Sequence, residues 1–184
     1  VLKESTVRKF KIGFCVEKGA FTYPFYESGE LIAIKYKRLG HDGQKQVSRW
    51  KSDSKNTKTS SSLFGVDFLS GNERVVVTEG EDDCMVLSEA GVSNVVSLPN
   101  GCAHVSGKFL DALEPFRNIV ICMDADESGT KGADNLRDLL GEDRSRIVEH
   151  PTGVMTPPDR YWKASEAKDA TDYARANSVE LLTN

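Results

Sequence analysis

The chain has 184 residues, of which 39% are hydrophobic and 28% charged, and 24 Lys and Arg against 28 Asp and Glu leave a net charge of −4. That length suits one domain plus a smaller subdomain, and the composition is ordinary for a protein in water. No apolar run approaches a membrane span and no secretory signal opens the chain, while a start at Val1 without Met reads as a fragment of something larger.

The charge is segregated. Residues 1–58 hold 13 Lys/Arg and 6 Asp/Glu, a net +7, whereas residues 59–184 hold 11 and 22, a net −11. Within Lys35–Lys58, eight basic residues face only Asp42 and Asp53. A basic module ahead of an acidic one suggests phosphates held by the first and metals by the second. Cys15, Cys84, Cys102 and Cys122 are far apart and form no Cys-x-x-Cys pair, so reduced core thiols are expected and a zinc site within this chain is not.

In chain order, Phe21–Tyr26 and Leu31–Tyr36 flank Glu27-Ser28-Gly29-Glu30 and read as a hairpin. Strand alternation places Ile32, Ile34 and Tyr36 on one face and Ala33, Lys35 and Lys37 on the other. Ser48–Ser62 is polar, lacks apolar periodicity and reads as a mobile basic loop. Leu63–Leu69 anchors the chain again, and the expected division falls between a basic β-rich subdomain, residues 1–72, and a second domain, residues 73–184. There, strands at Arg74–Val77, Asn94–Leu98, Ile119–Met123 and Arg146–Glu149 alternate with helices at Asp82–Ala90, Ser106–Phe116 and Lys131–Leu140. A loop at Pro99-Asn100-Gly101, a Pro-rich loop at Pro151–Pro158 and a helical tail at Asp169–Asn177 complete the reading. Repeated strand–helix units imply an α/β fold with a parallel sheet covered by helices on both faces.

Two apolar strands end in acids: Val75-Val76-Val77 runs into Glu79-Gly80-Glu81-Asp82-Asp83, and Ile119–Met123 runs into Asp124-Ala125-Asp126. Ligands of open parallel sheets gather outside the carboxyl ends of the strands, so both clusters are expected at one site. Two carboxylates about 4 Å apart repel by roughly 4 kcal/mol at an effective dielectric near 20, which raised pKa values or bound cations must relieve. Oxygen ligands without His or Cys point to Mg²⁺ or Mn²⁺. Asp82 and Glu127 read instead as helix-terminal charges.

Three look-alikes need weighing, and the first two are rejected. Asp124-x-Asp126-x-Ser128-Gly129 imitates an EF-hand loop, but its twelfth position is Asn135 and a strand precedes it. Gly101–Lys108 imitates a phosphate-binding loop with the wrong glycine spacing and Phe109 where a hydroxyl is needed. An aspartyl-nucleophile phosphatase loop would leave Glu79-Gly80-Glu81 unused.

The two acidic strand ends, with Val96–Gly101 between them, resemble the TOPRIM family shared by DnaG-type primases, topoisomerases and several nucleases. Tyr23-Pro24-Phe25-Tyr26, Gly29-Glu30-Leu31, Lys35-Tyr36-Lys37-Arg38, Ser62-Leu63-Phe64-Gly65 and Lys168-Asp169-Ala170 narrow the likeness to the primase part of phage primase–helicases and Twinkle-type helicases. The resemblance implies a primase core that makes short RNA primers on single-stranded DNA from ribonucleoside triphosphates, with two or more Mg²⁺ or Mn²⁺ ions. It implies Asp124 and Asp126 as metal ligands, Asp169 assisting, Glu79 as ligand or general base, and Glu81 and Asp83 as supporting ligands. Arg38, Lys51, Lys58 and Lys131 are the candidate contacts to triphosphate and template.

Implied partners are a zinc-ribbon domain and a replicative helicase, in the same full-length chain or separate, with no membrane. The implied compartment is the cytoplasm of a bacterial or phage-infected cell, or an organelle matrix for a Twinkle-like protein. The alternatives are a TOPRIM nuclease and a non-catalytic DNA-binding module of a helicase.

Overall fold

The computed structural model describes residues 2–39, 46–51, 62–102, 105–148 and 169–172. An N-terminal helix, α1 (Glu4–Lys9), precedes four antiparallel strands in the order β1 (Gly13–Cys15), β2 (Ala20–Glu27), β3 (Glu30–Leu39) and β4 (Gln46–Lys51). The expected β2–β3 hairpin forms, and Ser28 and Gly29 both take positive φ in its two-residue loop, as a tight hairpin turn of matching twist requires. The basic stretch expected as loop from Ser48 begins in fact as strand β4, paired with β3 from Ile34↔Lys51 to Leu39↔Gln46. Backbone pairing with an existing strand supplied the order that apolar periodicity did not announce. The remainder of that stretch, including Lys58, lies outside the described residues.

The second sheet is parallel and runs β6-β5-β8-β9, built from β5 (Arg74–Thr78), β6 (Val95–Ser97), β8 (Asn118–Cys122) and β9 (Ser145–Ile147). Helix α2 (Glu81–Glu89) links β5 to β6, α3 (Gly107–Leu113) precedes β8, and α4 (Glu127–Leu140) links β8 to β9. Pro99–Cys102, expected as loop, is a short strand, β7, that packs against α4. Helix α4 starts at Glu127, four residues before the expected Lys131, because Asp126 caps it. Of the expected tail helix, residues 170–172 are helical; the rest of it, like the Pro-rich loop, falls outside the described residues.

Period-two alternation in β5 divides the apolar interior. Val75 and Val77 join Ile119, Ile121, Phe109, Leu113, Leu136 and Leu140 on the face that α3 and α4 cover. Val76 points the other way, into a second core with Met85 and Leu87 of α2 and with Phe25 and Phe64 from the N-terminal part. That second core joins the two sheets. Among the described residues no helix is long and apolar enough to cross a membrane.

The lysine face of β3 is the buried one. Lys35 Nζ donates to Glu81 Oε1 at 2.7 Å and to the Pro99 carbonyl at 2.9 Å, and Lys37 Nζ lies 3.0 Å from Glu81 Oε2 and 3.1 Å from Asp82 Oδ2. Tyr23 donates its hydroxyl to Asp82 Oδ1 at 2.8 Å and its ring lies under Lys37 Nζ, which fastens the first sheet to the start of α2. Removing one partner of such a pair strands a charge. Lys35→Met is therefore expected to cost about 3 kcal/mol in chemical denaturation, and the double variant Lys35→Met/Glu81→Gln to recover more than half of it. Costs that simply add would show that the two groups do not interact.

Candidate metal and active site

The chain order along the second sheet reverses between β5 and β8, and that gap is where open α/β sheets leave a crevice. Thr78 pairs with Cys122, so the chain leaves both strands at the same level, into Glu79 on one side and Asp124 on the other. The Asp124 N–H donates to Glu79 Oε2 at 3.2 Å. Asp83, one turn into α2, and Asp169, beside the helical turn 170–172, complete the arrangement. One carboxylate oxygen from each of Asp83, Asp124 and Asp169 lies within 4.8 Å of the other two.

Each acid is held by a specific local device. Asp83 Oδ1 accepts from the Thr171 N–H at 2.9 Å and the Thr171 hydroxyl at 2.6 Å, which ties α2 to the late segment. Asp169 Oδ1 accepts from the Asp172 N–H at 2.6 Å. Three glycines press against the acids: a Cβ on Gly80 would lie 2.9 Å from Asp83 Oδ2, one on Gly101 3.0 Å from Glu79 Oε1, and one on Gly129 2.1 Å from the Asp124 carbonyl oxygen. Gly101 also has a φ of +65°, a conformation glycine adopts without strain.

Crowding shows in the acidities. Burial, then the Asp169 carboxylate, pushes Asp83 up to about 7, against the two hydrogen bonds from Thr171. Burial pushes Asp124 up to about 7 as well, helped by Glu79, Asp83, Asp169 and Asp126 in falling order. The neighbouring Cys122 thiol is pushed up to about 12, first by burial and then by the same acids, so it stays protonated. A cluster of oxygen donors whose like charges resist ionisation fits a hard divalent cation, which would replace the protons.

The structure corrects one expectation and gives a second residue an added task. Glu81 does not face this cluster: it is 1% exposed and both its oxygens meet Lys35 and Lys37, because its place at the first position of α2 turns it toward β3. Asp126 stands at the exposed start of α4, where Oδ1 accepts from the Gly129 N–H at 2.9 Å and caps the helix, while its charge still acts on Asp124. Lys131 pairs with Glu127 at 2.6 Å on the exposed face of α4, Arg38 is exposed on β3, and Lys51 ends β4. Thr171 was missed, and Lys35 and Lys37 read in the sequence as part of a basic strand rather than as buried partners of Glu81; Gly80, Gly101 and Gly129 each stood in a motif that the sequence displayed.

Comparison with known proteins places this geometry in a class: residues 76–161 match the Toprim-like family, so the chain carries a TOPRIM-type domain. Among individual proteins, the chain is 33% identical over 149 residues to the chloroplastic/mitochondrial Twinkle homolog of Arabidopsis thaliana and 30% identical over 149 residues to that plant's primase homolog protein. Each match covers 72% of this chain, but only 19% and 41% of those relatives' own lengths. The fold is also that of the primase fragment of the bacteriophage T7 primase–helicase, with a TM-score of 0.75 and 20% identity over 99% of this chain and 69% of the fragment.

Proposed function

We propose that this chain is the RNA-polymerising core of a DNA primase, joining ribonucleoside triphosphates into short primers on a single-stranded DNA template. The observation that carries the reading is the convergence of Asp83, Asp124 and Asp169, from three separate segments, at the crevice of a primase-type fold. In this reading those carboxylates hold Mg²⁺ or Mn²⁺, as two or more ions. Bound there, such ions supply the positive charge that in-line displacement at an α-phosphate demands.

Glu79 holds the Asp124 backbone and serves as a further ligand or as the base that accepts the primer 3′-hydroxyl proton. Asp126 fixes the start of α4 and adds its charge from the rim. Arg38, Lys51, Lys58 and Lys131 are the proposed contacts to triphosphate and template backbone. A zinc-ribbon domain and a replicative helicase are the proposed partners, in a bacterial or phage-infected cytoplasm or in an organelle matrix.

Resemblance to a Twinkle homolog supports a second reading, a non-catalytic module that holds DNA for a helicase. One assay separates the readings: labelled ribonucleotides, a single-stranded template, Mn²⁺ and the full-length protein. Templated incorporation is expected, with Asp124→Ala lowering it on the order of 10³-fold, the scale of losing transition-state charge stabilisation. Shortening of the template would mean a nuclease. DNA binding without either reaction would mean a module.

A further inference from the structure

A second concavity, of about 430 Å³ counted out into its mouth, opens between the end of α1, the tip of the β2–β3 hairpin and the 3-10 turn Val66–Phe68. Phe10 joins two of its walls, stacked on Phe64 at 5.2 Å and edge-on to Phe68 at 5.1 Å. It lies at the far end of α2 from the acids, since its Lys9 donates to Ser88 in the last turn of that nine-residue helix. Helix rise puts Ser88 about 7.5 Å along the axis from Asp83, the acid that α2 gives to the cluster.

The walls have the chemistry of a base and phosphate receptor. Phe68 is 38% exposed there, with Lys9 Nζ 5.2 Å from its ring centre, and Lys11 Nζ stands 3.9 Å from the centre of the Tyr26 ring. Among the described residues neither ammonium meets a carboxylate; the one acid in the lining, Asp67, accepts the Ser28 and Gly29 N–H groups at 2.8 and 2.7 Å. Lys11 is itself unexpected. It closes α1 with a φ of +55°, its N–H donating to the Arg8 carbonyl while the Ile12 N–H donates to Val7, the capping arrangement that ordinarily selects glycine. Folding favours glycine at this position, and backbone strain retained at such a place accompanies ligand clamps.

We propose that this concavity is a second nucleotide-binding site, in which Phe68 and Tyr26 receive a base and Lys9 and Lys11 hold its phosphate. Stacking on an aromatic ring with a cation nearby tolerates any base, so the occupant is a nucleoside phosphate, either free or as one unit of a single strand. The site needs none of the acids, and Asp124→Asn is expected to leave it intact.

The test is an amide-shift titration of the isotope-labelled chain in EDTA with AMP, with an oligothymidylate and with inorganic phosphate. Saturable shifts are expected at Lys9–Lys11, Gly29 and Gly65–Phe68. Tighter binding of AMP identifies a free nucleotide and tighter binding of the oligomer identifies a strand; both support the site. Lys11→Gly is expected to raise the melting temperature yet weaken binding, Lys11→Arg to retain it, and Lys9→Gln with Lys11→Gly to weaken it about tenfold. Absence of saturable shifts here with both AMP and the oligomer overturns the proposal. So does phosphate binding as tightly as AMP, or unchanged affinity in Lys11→Gly.

Discussion

At pH 8 and without divalent metal, Asp83→Asn is expected to melt at a higher temperature than the natural sequence. Asp83 has a folded pKa of about 7 against an ordinary 3.8, so between those values the folded state binds more protons than the unfolded one. Stability therefore falls as pH rises from about 4 to about 7, and the loss is complete above that window. A shift of this size, discounted for the coupling of Asp83 to Asp169, corresponds to roughly 2–4 kcal/mol. For a chain of this length that is about 5–10 °C.

Asparagine removes the charge while its oxygen still accepts from Thr171, so the gain should vanish near pH 4, where the natural acid is already protonated. Millimolar Mn²⁺ should raise the melting temperature of the natural chain and have little effect on the variant, since a bound cation relieves the same repulsion. A gain from Asp83→Asn that does not change with pH would show that neither burial nor the Asp169 carboxylate raises the pKa of Asp83.

Much of this arrangement was legible in the sequence, because the strong signals were local ones. Val75–Val77 and Ile119–Cys122 are short, β-branched apolar runs of the kind that suits strands of a covered parallel sheet, and their acidic ends pointed to the crevice. Asp169 was reached by family resemblance, since no local pattern links it to Asp124. What the sequence hid was direction. Glu79 and Glu81 share a spacing that extended backbone would point alike, but the helix begins at Glu81 and turns it onto Lys35. The lysines of β3 looked like a surface for phosphates; buried acids of α2, remote in sequence, drew them inward. Ion pairs formed across tertiary distance leave no periodic trace.

Gly129→Ala is expected to be the most damaging single-methyl change in the second sheet's environment. By intrinsic preference it should help, because alanine is about 1 kcal/mol better than glycine within a helix. Gly129 is buried in the first turn of α4 and its φ is not positive, so no conformational rule requires glycine there. Contact decides otherwise: the added Cβ would stand 2.1 Å from the Asp124 carbonyl oxygen and 2.9 Å from both its carbonyl carbon and its amide nitrogen. All three are backbone atoms, so no rotamer change relieves the clash; either Asp124 or the start of α4 must move. Overpacking against fixed backbone costs about 3 kcal/mol, and a displacement of about 1 Å at a reacting centre costs about 10²-fold in rate. Gly107→Ala is the matched control, a first-turn glycine of α3 with nothing within 4 Å of the new methyl, and should be neutral or mildly stabilising. Thermal unfolding and Mn²⁺ titration of the two variants should diverge sharply, with weakened Mn²⁺ binding confined to Gly129→Ala. Equal stability and equal Mn²⁺ affinity in both would mean that Asp124 is not held by its approach to α4.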